Sequence, residues 1–260
     1  MPTSEQASPA QIARSLIRSG QHQEITYGLA PGYVQCNLVI IKAIHAYDFL
    51  LFCQRNQRAC PLLEVTEVGS PLTKQIAAGA DLRTDLPKYH VYRNGECQDR
   101  PNHIKDLWQD DLVAFLIGSG ITFDQALTRV GIPIDKRHRW VCRTRLKTEQ
   151  AGRFHGNLIV TMRWLTPEHA IKATQITARF PFNHGAPIHV GDPDIIGADL
   201  AKPLHGPKID SIPSHLIPVF WACGVTSQAA AEAAKLDLMI THAPAHGFIS
   251  DLKADDICLP

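Results

Sequence analysis

The chain lacks several things that would place it quickly. Its seven cysteines, at 36, 53, 60, 97, 142, 223 and 258, are odd in number and form no CxxC pair. That argues against a disulfide framework and a zinc knuckle, and fits reduced thiols in a cytoplasmic setting. Net charge is nearly absent: 26 basic and 25 acidic side chains leave +1, which gives no electrostatic footprint for a nucleic acid or an anionic membrane. No apolar run stays uninterrupted, because NLVIIKAIHAYDFLLF carries Lys42, His45 and Asp48, and MPTSEQASPAQIARSLIRSG has no signal-peptide core. No internal repeat is visible, so solenoids are set aside. These absences leave a chain of 260 residues with one or two domains and a small-molecule partner. Self-association into a homo-oligomer is the one macromolecular contact left open.

What is present reads as alternating helices and strands. Ser8, Pro9 and Gln11 make a capped helix start before Ile12, Leu16 and Ile17. YVQCNLVII reads as strand or buried helix, PLLEVTE as a strand, and Asn94-Gly95 as a tight hairpin turn. DDLVAFLIG reads as a helix, followed by a second one, FDQALTRV, with a capping box from Thr122 and Gln125. RWVCRTRLKT and GNLIVTMRWL read as strands, TPEHAIKATQ as a helix capped by Thr166, and ITARFPF as a strand. IPVFWAC, a helix capped at Thr226 and LDLMITHA then form a βαβ unit. Its long crossover predicts parallel neighbours whose ends place Cys223 beside His242 on one sheet edge. The expected architecture is α/β in two intertwined parts. Residues 1–110 and 187–260 form a larger three-layer α/β/α domain with the C-terminal βαβ unit, and residues 111–186 an inserted two-layer α+β domain.

The chemistry concentrates in four loops. In CGVTSQ, Gly224, Val225 and Thr226 open a helix, whose free N–H groups suit an anion, while Cys223 is either a thiolate lowered by the same dipole or a small buried hydrophobe. THAPAHG carries His242 and His246, but Pro244 between them rules out a helical metal pair. HGAPIHVGDP adds His184, His189 and Asp192, with His189 and Asp192 as an acid/base pair or as metal ligands together with His242 and His246. GADLRTDLP offers Arg83, beside Asp85, as a bidentate fork for a carboxylate.

The pieces PGYVQCNLVI, DFLLFCQRN, CPLLEV, GADLRTDLP, AGRFHGN, ITARFPFNHGAPIHVGDP, PVFWACGVTSQ and ITHAPAHGF, in this order across residues 31–248, resemble the hydro-lyase family also called the D-glutamate cyclase family. The resemblance implies a three-layer part, a smaller two-layer part, and dehydration of D-glutamate to 5-oxo-D-proline in some members. The chain departs from that pattern at Ser119, which replaces a cysteine. Arg145 and Thr148 replace an asparagine and a cysteine, and His205 and Pro207 replace acidic residues.

The expectation that follows is a cytoplasmic hydro-lyase acting on a small amino or carboxylic acid. Arg83 would hold the α-carboxylate and the Gly224–Thr226 turn the oxyanion, while His242 or His246, oriented by Asp192, would move protons. No cofactor is called for, because a tethered five-membered closure already has a large effective molarity. The competing expectations are a non-catalytic carboxylate binder and a metal-dependent hydratase built on His184, His189, Asp192 and His242.

Overall fold

The structure is a computed structural model and describes residues 7–134, 140–211 and 213–260. Helix α1 (Pro9–Arg18) begins with the capping box read from the sequence, and its Ala10, Ala13 and Ile17 pack on Ile249. Strand β1 (Tyr33–Lys42) is buried along almost its whole length, as befits the centre of a sheet. Helix α2 (Ala43–Arg55), strand β2 (Leu62–Val65) and the hairpin β3 (Tyr89–Arg93) and β4 (Glu96–Asp99) follow. The hairpin turns on Asn94 and Gly95, both at positive φ (52° and 85°), as the dipeptide predicted.

Strand β5 (Leu112–Gly118) corrects the expected helix in DDLVAFLIG. All seven of its residues are buried, and a short run apolar on both faces carries no periodicity to separate strand from helix. Helix α3 (Ile121–Arg129) starts at Gly120 without a side-chain cap, so Thr122 lies inside it rather than at its cap. Strands β6 (Trp140–Lys147) and β7 (Asn157–Leu165) lead to helix α4 (Pro167–Ala178), capped by Thr166. This helix takes in the ITA of the expected strand ITARFPF, with Thr174 and Thr177 turning their hydroxyls onto the carbonyls of Ala170 and Ala173. Strand β8 (His189–Val190), the short helix α5 (Pro193–Ile196), strand β9 (Ile217–Ala222), helix α6 (Val225–Ala233), and strands β10 (Met239–His242) and β11 (Phe248–Lys253) complete the order.

Two antiparallel sheets result, giving an α/β fold in two parts. The larger runs β2-β5-β1-β10-β3-β4 with β11 also on β1, and the smaller runs β6-β7-β9-β8. Helices cover both faces of the larger sheet. Phe49, Phe52, Ala230 and Ala231 of α2 and α6 lie on one side, and Phe123, Leu127, Ala170 and Ala173 of α3 and α4 on the other. The βαβ expectation needs correction: β9 and β10 are not parallel neighbours. β9 pairs with β7 and β8, β10 with β1 and β3, and α6 carries the chain between the sheets. Sheet membership also crosses the boundaries at 110 and 187, since β5 sits in the larger sheet and β8 and β9 in the smaller. Among the described residues, no helix is long and apolar enough to cross a membrane.

Candidate active site

One edge of β1 is shared by two strands. β11 pairs with it up to Cys36, opposite Phe248, and β10 takes over at Val39, opposite Thr241. The ladder is therefore open at Asn37 and Leu38. The His242 ring fills that opening: the Leu38 N–H donates to His242 Nδ1 at 3.1 Å, and Gln228 Nε2 of α6 lies 3.0 Å from the same nitrogen. A ring nitrogen that accepts from a backbone amide carries no proton, so the neutral ring of His242 keeps its proton on Nε2. Burial pushes the His242 pKa down to about 4, with His246 and His90 repelling a second charge. The segment from Ala243 to Gly247 bulges away between the two strands, with Ala245 at φ 64° and Gly247 so near β1 that a Cβ would stand 2.9 Å from the Cys36 carbonyl. His246 Nδ1 lies 2.7 Å from the Pro244 carbonyl. A carbonyl only accepts, so the neutral ring holds its proton on Nδ1 and presents the Nε2 lone pair. Two neighbouring imidazoles are thus fixed in opposite tautomers, one offering Nε2–H and the other a lone pair.

Helix α6 brings its N-terminus to the same opening. A Cβ on Gly224 would stand 2.1 Å from Asn37 Nδ2, which itself donates to the Gly118 carbonyl at 3.2 Å. The Thr226 hydroxyl is buried against the backbone of Ile159, and the Ser227 hydroxyl donates to the Gly224 carbonyl at 2.6 Å. The donors that remain are the amides of Gly224 and Val225, which have no protein acceptor among the described residues, as expected of a helix's first N–H groups.

A second polar cluster lies where β5 ends and α3 begins. Asn183 Nδ2 is 3.2 Å from both the Ser119 carbonyl and Thr122 Oγ1, and Thr122 Oγ1 also accepts from the Gln35 amide. His184, at φ 79°, has its Nδ1 3.0 Å from the Arg58 carbonyl, and burial lowers its pKa to about 4. Asp124, fully buried, accepts from Arg163 at 2.7 Å, and the guanidinium lies 5.0 Å from the Phe123 ring centre and 4.8 Å from that of Trp221.

Residues 113–251 match the sequence profile of the family described as D-glutamate cyclase. The chain belongs to this family. Relatives that carry the name "Putative hydro-lyase" include the following three. YcsI of Bacillus subtilis (strain 168) is 45% identical over 95% of this chain and 97% of its own. A protein of Stutzerimonas stutzeri is 48% identical over 96% of each chain. One from Bacillus licheniformis is 48% identical over 92% of this chain and 93% of its own.

Within this D-glutamate cyclase family chain the expected site residues divide. His242, Gly224 and Val225 come together at the opening in β1, with His246 in the turn that follows β10 and Cys223 next to Gly224 at the end of β9. Arg83 is in a bidentate pair with Asp81, and Asp85 is fully buried in a bidentate pair with Arg18. The charges of the GADLRTDLP loop are thus satisfied within the fold, by Asp81 and by Arg18 of α1. His189 lies on the smaller sheet, stacked on Phe220, with Nε2 2.7 Å from the Asp192 carbonyl. The Asp192 carboxylate caps α5 through the Asp194 amide, and it is Leu38 and Gln228 that orient His242. Among the described residues, no three His, Cys, Asp or Glu side chains gather as a metal-ion site, so the metal-hydratase set is not assembled.

Sequence reasoning missed Asn37, His90, Gln228, Asn183 and the Asp124 carboxylate that holds Arg163. A lone carboxamide inside the apolar run CNLVII was the available signal for Asn37, since a buried polar group needs a partner. A cavity of about 430 Å³ lies against α5, lined by Arg145, Gly197, Asp194, Asp199 and Asp210. Its Arg145 donates to the Asp194 carbonyl and its Asp199 caps the turn at Ala201 and Lys202.

Proposed function

We propose that the chain is a lyase that closes D-glutamate to 5-oxo-D-proline with loss of water at the opening in β1. The observation that carries this reading is the His242–His246 pair: one ring is set to donate through Nε2 and the other to accept. Lactam closure needs both roles at once, an acceptor for the ammonium protons and donors for the oxygen that gains charge. His246 Nε2 takes a proton from the ammonium and passes it to the γ-carboxylate. The free amine attacks that carbon, forming the C–N bond. The developing oxyanion is held by the Gly224 and Val225 amides, Asn37 Nδ2 and His242 Nε2–H. His246 then carries a second proton from nitrogen to the leaving hydroxyl, the C–O bond breaks, and the oxygen departs as water.

His242 suits the donor role because burial keeps it neutral, with its Nε2 proton aimed by a backbone bond rather than lost to solvent. Arg83 is left out of the machinery, its fork being filled by Asp81. The test is incubation with D-glutamate followed by chiral chromatography for 5-oxo-D-proline, alongside a thermal melt. Product formation supports the reading. A folded protein whose melt D-glutamate raises without any product overturns the enzyme in favour of a carboxylate binder.

A further inference from the structure

The Asn183 carboxamide is fully buried and half satisfied. Its nitrogen serves the Ser119 carbonyl and Thr122 Oγ1, while Oδ1 has no partner among the described residues. The orientation is fixed, because the Ser119 carbonyl can only accept and the carboxamide nitrogen must face it. An acceptor buried without a donor is costly enough to be uncommon in folded proteins. The next residue adds a second acceptor: His184 commits its Nδ1–H to the Arg58 carbonyl, which leaves Nε2 as a lone pair on a neutral ring.

Asn183 adjoins the stretch of β1 that opens at Leu38, and His184 follows it directly in the chain. Thr122 links Asn183 to the Gln35 amide, the Ser119 amide donates to the Gln35 carbonyl, and Asn37 donates to the Gly118 carbonyl. The Arg163 charge nearby is balanced by the buried Asp124 carboxylate at 2.7 Å. A carboxylate would meet these two acceptors as a third and fourth, and a hydroxyl could satisfy one of them. A primary amine or ammonium, with two or three N–H donors, satisfies both.

We infer that Asn183 Oδ1 and His184 Nε2 are the receptor for the substrate's amino group and restrict the site to amino acids over their desamino counterparts. The reaction this serves rests on the reading above; recognition of the amine does not.

The test is calorimetric titration of the full chain with matched pairs: D-glutamate and glutarate, D-aspartate and succinate, D-alanine and propionate. In at least one pair the amino acid is expected to bind about tenfold more tightly, the size of a hydrogen bond to a charged group. Asn183→Ala removes that preference and leaves the desamino partner within about twofold. Asn183 also holds Ser119, so a second variant guards against simple unfolding. His184→Asn tolerates positive φ and retains a donor for the Arg58 carbonyl, but loses the Nε2 acceptor. It too is expected to bind both members alike. No amine preference in any wild-type pair overturns the inference, as does a preference that His184→Asn leaves intact or variants that weaken both members equally. An amine preference without turnover of D-glutamate upholds the receptor and removes the proposed reaction. Turnover that survives both variants does the reverse.

Discussion

Asn37 Nδ2 occupies the place where a side chain on Gly224 would begin, 2.1 Å from an ideal Cβ. Gly224 has φ −60°, a conformation that any residue adopts, so the requirement for glycine is one of space alone. Gly224→Ala is expected to cost about 1–3 kcal/mol through overpacking and to lower turnover about a hundredfold by moving Asn37 and the start of α6. Adding Asn37→Ala to that variant frees the space. The double variant should recover its melting temperature and not its activity, which melts and rate assays on the two proteins will show.

His242 separates fold from chemistry by nitrogen. His242→Asn keeps an acceptor near the Nδ1 position for the Leu38 N–H and loses the Nε2 donor, so stability should hold while kcat falls about 10²- to 10³-fold. His242→Leu strands the Leu38 N–H in a buried strand and should also lose about 1–3 kcal/mol of stability by urea titration.

Acid should unfold the protein through its buried rings. His242 and His184 both have folded pKa values near 4, below the ordinary 6.5, because burial disfavours the charged ring. The unfolded chain therefore binds more protons between these values. The stability from the neutral rings is present above about pH 6.5 and is lost as pH falls toward 4. Melting temperatures between pH 7 and 4 should fall, and His184→Asn and His242→Asn should each flatten that fall.

The local elements were legible where a residue type forces a conformation: the Ser8 capping box, Pro167 at a helix start, Asn94-Gly95 in the hairpin. Partnership between strands was not. PVFWA and LMITH read as one parallel pair, yet the chain brings Gly224 and His242 to one place by running α6 from one sheet to the other. Periodicity reports which face of a strand is buried and is silent on which sheet buries it. Loops rich in charge misled for a similar reason, since Arg83 and Asp85 answer to Asp81 and Arg18 within the fold. Of the positions that depart from the family pattern, Ser119 lies beside Asn183 near the opening in β1, while Arg145 lines the cavity against α5 and His205 bridges to Val141.

Asp192 provides a contrast. Its carboxylate caps a helix of four residues on the smaller sheet's side of the molecule. Asp192→Ala should cost about 0.5–2 kcal/mol as a lost N-cap and leave kcat and KM for D-glutamate unchanged. A large fall in kcat would return Asp192 to the proton path.

The proposed chemistry needs two histidines held in opposite tautomers, and ¹⁵N NMR of histidine-labelled protein near pH 7.5 reads this directly, with His242→Asn and His246→Asn assigning the signals. His242 should show protonated Nε2 and bare Nδ1, and the neutral form of His246 protonated Nδ1 and bare Nε2. Finding both rings in the same tautomer, or His242 as a cation, would contradict the account.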